Sequence, residues 1–231
     1  MKKSILLIAL IMSSYMFVKA GDHQFTIGEK VSFKSEVLNE ERKIIVYVPK
    51  SYNFTDREYP VLYLLDGGFH FHHASGIAQF LASSGLAPEM IVVAVVNTDR
   101  NKDFTPTHLE QRKKSGGAEK FTLFFADELF PFIERNYRSG SYRTLMGHSL
   151  GGTFATYVLL NKPELFNSYI SISPYLMYDN NLMVRETEKK LKEKYKDETV
   201  YYMTVGNEPD YFEALDYVAK TIMTKEPKGL K

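Results

Sequence analysis

The stretch Gly147-His148-Ser149-Leu150-Gly151-Gly152 carries the most specific chemical pattern in the chain. It matches G-x-S-x-G, in which a serine sits on a sharp turn between a strand and a helix. Small residues on either side let strand and helix approach each other, and the turn lifts the hydroxyl above the sheet. The N-terminus of the following helix aims free N–H groups and a partial positive charge at any oxyanion that develops there. The context fits on both sides. The residues from Tyr142 to Met146 read as a strand, and Gly151 to Leu160 reads as a helix of small and apolar residues. Ser149 is the candidate nucleophile, and the chemistry it suggests is acyl transfer.

The other reactive groups are fewer. There are six histidines: His23, His70, His72, His73, His108 and His148. The run His70-Phe71-His72-His73 invites a zinc reading, but it lacks H-E-x-x-H or any other ligand spacing. It reads instead as a loop lining a pocket, with His70 contacting substrate and no metal expected. His148, inside the turn, is a second candidate for substrate contact and is expected to pack there rather than titrate. Arg100, between Asp99 and Asp103, could anchor a substrate carboxylate or catechol. Such clusters more often form structural ion pairs that hold their own loop. The chain has no cysteine, which excludes thiolate nucleophiles, disulfides, Cys-ligated zinc and iron–sulfur clusters. Its 29 basic and 28 acidic side chains leave a net charge of +1, without the basic excess that nucleic acid attracts.

The elements that would position these groups alternate. Strand-like runs cover Lys30 to Val37, Lys43 to Val48, Tyr59 to Leu65, Met90 to Asn97, Tyr169 to Ile172 and Thr199 to Val205. Asn39-Glu40-Glu41 reads as the hairpin turn between the first two. The run at Ile91 to Val96 is apolar throughout, the mark of a strand covered on both faces in a parallel sheet. Phe121, Phe124, Phe125, Leu129 and Ile133 fall at helical spacing, with Asp127 and Glu128 on other faces and Pro131 predicting a kink or restart. Leu182 to Lys196 reads as a charged, solvated helix with Glu186–Lys190 and Glu188–Lys192 pairs. A further helix runs through Phe212, Leu215, Val218 and Ile222. The sum is an α/β fold with a mostly parallel central sheet after an N-terminal antiparallel hairpin. With 16 Tyr, 16 Phe and no Trp, the core takes its aromatic mass from single rings.

Residues 1–20 read as a signal peptide. Lys2 and Lys3 precede an apolar run from Ile5 to Val18, and Val18-Lys19-Ala20 offers a cleavage site before Gly21. That run reaches roughly 21 Å as a helix, short of a hydrocarbon core about 30 Å thick. The expectation is an exported protein, periplasmic or secreted, with one domain over 21–231 and no stable membrane insertion after cleavage.

The turn at Ser149, taken with Gly116-Gly117-Ala118, Glu128-Leu129-Phe130-Pro131, Ser173-Pro174, Tyr63-Leu64-Leu65-Asp66-Gly67-Gly68 and Asn97-Thr98-Asp99-Arg100, resembles the ferric-enterochelin-esterase-like branch of the α/β hydrolases. That branch also holds S-formylglutathione hydrolase, feruloyl esterases and mycolyltransferases. The resemblance runs from about Val31 to about Gly206. It implies the α/β-hydrolase fold with helices on both faces, a small-molecule ester substrate of siderophore-lactone or acylated-carbohydrate type, and no metal or organic cofactor. Carried over residue by residue, it makes Ser149 the nucleophile and gives the oxyanion to the backbone N–H groups of Leu150 and Gly68. The acid of the triad would follow the strand ending at Val205, as Glu208 in preference to Asp210. The triad imidazole follows the acid in this branch, yet no histidine follows Ser149. Three readings stay open. The chain is C-terminally incomplete, lacking the segment with that histidine; or His70 or His108 stands in; or the fold binds its ester without cleaving it.

Overall fold

A computed structural model describes residues 25–231. The signal peptide expected over 1–20 lies outside the described residues. Eight strands form one sheet in the order β1-β2-β4-β3-β5-β6-β7-β8. They are β1 (Glu29–Ser35), β2 (Glu40–Tyr47), β3 (Tyr59–Leu64), β4 (Ile91–Val96), β5 (Ser139–His148), β6 (Ser168–Ile172), β7 (Lys194–Thr204) and β8 (Lys228–Leu230). The pairs β1–β2 and β2–β4 are antiparallel, and every other neighbouring pair is parallel. The helices are α1 (Gly67–Ser83), α2 (Arg100–Phe104), α3 (Ala118–Phe124), α4 (Phe130–Asn136), α5 (Leu150–Asn161), α6 (Tyr178–Lys190) and α7 (Pro209–Lys225). This is the α/β-hydrolase architecture with its N-terminal antiparallel hairpin.

The unbroken apolar run of β4 is explained by burial on both faces. Val92 and Ala94 face α1 with Leu62, Leu64, Ala74 and Ala78. Ile91, Val93 and Val95 face the opposite layer, where Phe104, Phe121, Phe124, Phe125, Phe130, Phe154 and Phe166 pack with Tyr63. Many rings there meet edge-on or tilted, for instance Phe121–Phe125 at 5.2 Å and Phe130–Phe166 at 5.3 Å, the geometry their quadrupoles favour, while Phe121 and Phe124 stack at 5.6 Å. Pro131 restarts the helix as expected. A five-residue π turn at Phe125–Leu129 links α3 to α4 and places Pro131 in the first turn of α4.

Several boundaries differ from the sequence reading. The hairpin turn lies at 36–39, with Asn39 in the left-handed region, and Glu40 and Glu41 belong to β2. Glu128 is drawn to that turn, where it accepts the N–H groups of Glu36 (2.7 Å) and Val37 (3.0 Å). The charged helix ends at Lys190 because the chain enters β7 at Lys194. Glu186 and Lys190 pair at 2.9 Å, but Lys192 lies beyond the helix and reaches Glu164 instead of Glu188. β8 pairs along β7, and Lys231 exchanges backbone hydrogen bonds with Thr199 and Tyr201 (2.9 Å each).

Arg42, on β2, is completely buried beside Asp103 of α2 (2.8 Å) and Glu40 (2.8 Å), under the faces of Phe121 and Phe124. Removing one partner of such a pair leaves a charge in the core. Asp103→Ala is expected to lower the unfolding free energy by about 3 kcal/mol in urea titration. Lys43→Ala, which breaks only an exposed contact with Glu41, is expected to change it by less than about 0.5 kcal/mol.

Candidate active site

Strand β5 is held between β3 and β6, and its C-terminal end delivers Ser149 to the edge of the sheet. Ser149 adopts φ 56°, ψ −118°, a conformation that costs an L residue about 1–3 kcal/mol unless its surroundings impose it. They do so at three points. The Ser149 N–H donates to Ile172 O (2.9 Å), and its carbonyl accepts Thr153 N (3.0 Å) and Tyr175 N (3.3 Å). The turn is tight because Gly147 lies against Gly151: a Cβ on Gly147 would stand 2.3 Å from Gly151 C and 2.4 Å from its O. Ser149 is half-buried, and among the described residues its Oγ has no hydrogen-bond partner.

Two helix N-termini come together at this end of the sheet. Helix α5 begins at Leu150, directly after Ser149, and α1 begins at Gly67, directly after β3 and Asp66. As first-turn residues, Leu150, Gly67 and Gly68 have no acceptor for their N–H groups within their own helices. The two turns touch, since a Cβ on Gly151 would meet Leu65 Cβ at 3.4 Å and Asp66 Oδ2 at 3.5 Å. Gly67 is pressed onto β4, with only 2.6 Å between its Cβ position and Ala94 C, whereas the Cβ position of Gly68 meets nothing nearer than Val96 Cγ1 at 3.7 Å. Asp66 itself is left-handed (φ 53°) and nearly buried. Arg100 forks onto it (Nε–Oδ1 3.1 Å, Nη2–Oδ2 3.1 Å), and Asn97 donates to it as well.

The candidate substrate anchor Arg100 is thus engaged within the protein. Its partner is Asp66, not the neighbouring acids. Asp99 caps α2 by accepting Asn101 N and Lys102 N, and Asp103 faces Arg42. The contacts of Arg100 and Asn97 with Asp66 hold the turn in front of α1.

The histidine run forms the first turns of α1, not a loop. Its helical character was hidden in the sequence because the outward residues are aromatic, not charged. His70 and His73 line a cleft of about 230 Å³ with Leu64, Leu65, Ala74, Met146, Gly147, His148 and Ile172. His70 Nδ1 lies 3.2 Å from His73 Nε2, and the His70 and His148 rings stand edge-on at 6.0 Å. His148 is exposed at this cleft and is not packed away as expected. Burial lowers the pKa of His70, and the nearby His73, His148 and Arg100 lower it further against the pull of Asp66. His72 points to solvent, and His108 is engaged with Ser115 O (3.3 Å) away from the cleft lining. Among the described residues, no group of three metal-ligating side chains stands close enough to hold a metal ion.

The two candidate acids separate. Glu208 is half-buried after β7, and its Oε2 lies 3.6 Å from the Cβ position of Gly206. Ser173, at the end of the adjacent strand β6, accepts the Gly206 N–H through its Oγ (3.2 Å). Asp210 is exposed and lines a separate hollow between α6 and α7 with Met177, Asn181 and Tyr217. Sequence reasoning missed Tyr175 and Tyr211, whose rings stand 5.7 Å apart. Burial raises the Tyr211 pKa, as do the charges of Glu208 and Asp210. It also missed a left-handed turn of three residues, Asp179-Asn180-Asn181 (φ 50–61°), tied back by Thr107 Oγ1 donating to Asp179 Oδ2 (2.7 Å). The Asp-Asn-Asn composition was the available signal, because these residues enter that region most readily.

The family model described as Putative esterase matches residues 35–220. The chain is 33% identical over 187 residues to ferri-bacillibactin esterase BesA of Bacillus subtilis, a match covering 71% of this chain and 64% of that protein. The chain therefore spans less than two thirds of that relative's length. Among solved structures it is similar to a BES protein from Bacillus cereus (TM-score 0.82, 27% identity, 93% of this chain and 88% of that one). It is similar too to an IroE-like serine hydrolase from Shewanella oneidensis (TM-score 0.79, 28% identity, 88% and 71%).

Two outcomes follow from this geometry. Gly147→Ala is expected to destabilise the fold by about 3 kcal/mol because backbone, not a movable side chain, fills the space. Gly68→Ala, by contrast, is expected to stay within about 1 kcal/mol in the same denaturant titration. The second concerns pH. Because burial favours neutral His70, the folded protein holds fewer protons there than the unfolded chain does. Full stability from this ring stands above its ordinary value of 6.5 and is lost as pH falls through the lowered folded value. Thermal midpoints are expected to drop more steeply below pH 6.5 in the wild type than in His70→Gln.

Proposed function

The chain belongs to the Putative esterase family, and on that premise we propose that it is a serine hydrolase of carboxylic esters acting through an acyl-enzyme on Ser149. The observation that carries this reading is the strained turn at Ser149, set where helices α5 and α1 begin and their first-turn amides have no acceptor within their own helices. In the proposed reaction Ser149 Oγ attacks the ester carbonyl and gives its proton to a base, and the carbonyl oxygen becomes an oxyanion. The N–H groups of Leu150 and Gly68 receive that oxyanion, each donor lowering the barrier by about 3 kcal/mol. The alcohol departs with a proton, and water then releases the acid from Ser149. Glu208 is the acid of this scheme, because it stands at the end of β7 while Asp210 opens into another hollow.

The proposed substrate is an ester of siderophore-lactone type, with acylated carbohydrate as the competing class; the Bacillus subtilis relative is named a ferri-bacillibactin esterase. The apolar cleft lined by His70 and His148 would receive part of it. Export through residues 1–20 belongs to the same proposal. No described helix is long and apolar enough to cross a membrane.

One observation favours a second reading. Among the described residues no side chain is hydrogen-bonded to Ser149 Oγ, and a serine without a base is a weak nucleophile. On that reading the cleft binds the ester and leaves it intact. Turnover of a p-nitrophenyl ester separates the two. The hydrolase reading expects Ser149→Ala to reduce kcat to background and Glu208→Gln to reduce it about 10³-fold or more, with Asp210→Asn within about twofold of wild type. Wild-type turnover equal to that of Ser149→Ala, with the ester still bound by both, would establish the binding reading.

A further inference from the structure

Two aspartates stand at helix N-caps after the adjacent parallel strands β3 and β4, and they behave in opposite ways. Asp99 caps α2 in the ordinary manner. Its backbone is extended (φ −151°), and its carboxylate accepts Asn101 N (3.0 Å) and Lys102 N (3.3 Å). Asp66 caps α1 with its backbone alone. Its carbonyl accepts Phe69 N (2.9 Å) and His70 N (3.0 Å), while its carboxylate bonds to no N–H of the helix. That carboxylate is held instead by the fork of Arg100 (3.1 Å to each oxygen) and by Asn97.

The position of this anion matters because of what surrounds it. The Asp66 side chain is only 10% exposed, and its Oδ2 lies 3.5 Å from the Cβ position of Gly151 in the first turn of α5. The partial positive charge of both helix N-termini attracts it there. An N-cap carboxylate ordinarily accepts from the second or third residue of its helix. In α1 the third is Phe69, whose N–H is already taken by Asp66 O, and the second is Gly68. A released Asp66 carboxylate would therefore close on Gly68 N–H, the amide that the proposed reaction gives to the oxyanion. Arg100 is itself fixed from behind. Its short helix α2 is tied at one end by the Asp99 cap and at the other by Asp103 on buried Arg42 (2.8 Å).

We propose that Arg100 is a positioning residue for the reaction at Ser149: it holds the Asp66 carboxylate off Gly68 N–H and so keeps that donor open for the oxyanion. The effect on turnover rests on the hydrolase reading, whereas the placement of the carboxylate is readable without turnover.

Arg100→Met removes the fork and keeps a side chain of similar reach. It is expected to lower kcat for a p-nitrophenyl ester about 10²-fold, the loss of one oxyanion donor, with KM within about twofold of wild type. In proton–nitrogen correlation spectra of the same variant, the Gly68 amide proton is expected to move downfield as it gains a carboxylate acceptor. Asp66→Gly removes the competing anion at a left-handed position that glycine accepts freely. The double variant Asp66→Gly/Arg100→Met is expected to recover kcat to within about fivefold of wild type and to return the Gly68 proton upfield. A Gly68 proton that stays in place in Arg100→Met, or wild-type kcat in that variant, would overturn the proposal. So would a double variant no faster than Arg100→Met, which would leave Arg100 a purely structural role. Wild-type turnover equal to that of Ser149→Ala would instead remove the hydrolase reading and the kinetic effect with it, and the Gly68 proton would still decide whether Arg100 holds the carboxylate away.

Discussion

The backbone of Ser149 is held at φ 56°, ψ −118° by a turn that leaves no room for a Cβ at Gly147, and the arrangement around it is consistent with that one requirement. A residue in this region returns to an easier conformation unless its neighbours fix it. Here the neighbours are two strands and a helix. Ile172 O and Tyr175 N bind the two polar groups of the serine backbone, and Thr153 closes the first turn of α5 onto its carbonyl. Strand β6 thereby positions Ser149 from one side. The β3–α1 turn, with Leu65 and Asp66 against Gly151, supports it from the other.

The electrostatics follow the same division. Two buried or half-buried arginines stabilise turns. Arg42 fixes β2 to α2 through Asp103, and Arg100 fixes the turn before α1 through Asp66. Both are engaged within the fold, and the polar side chains lining the cleft are the imidazoles of His70, His73 and His148. Burial lowers the pKa of His70 and so favours its neutral ring, and the helix N-termini aim partial positive charge towards the Ser149 turn. The opposite layer contributes rigidity. Seven phenylalanines and Tyr63 pack there without a single indole, and the π turn before Pro131 lets Phe125 and Phe130 both reach Phe166.

Much of this was legible in the amino-acid sequence where one residue type answers one physical need. The unbroken run of β4 foretold a strand covered on both faces, and the glycines around Ser149 foretold a turn too tight for side chains. The helix α1 was not legible, because its outer face is as apolar as its inner one and leaves no period of 3.6 to detect. The end of α6 was misplaced for the converse reason. Glu188 and Lys192 have helical spacing, but the approach to β7 ends the helix first. Glu208 and Asp210 lie two residues apart in sequence, and only the turn into α7 decides which carboxylate faces the end of β6 and which faces α6. The role of Glu128 at the β1–β2 turn and of Arg100 on Asp66 depends on contacts across many residues, which local pattern does not carry.

The proposed function requires Ser149 to react as a nucleophile in acyl transfer. The most direct measurement is the intact mass of the protein after exposure to a fluorophosphonate, followed by peptide mapping of the adduct. The expected result is a single phosphonyl group on the peptide containing Ser149, formed within minutes and blocked by an ester that occupies the cleft. A protein that stays unmodified, or carries the group on another residue, would contradict it.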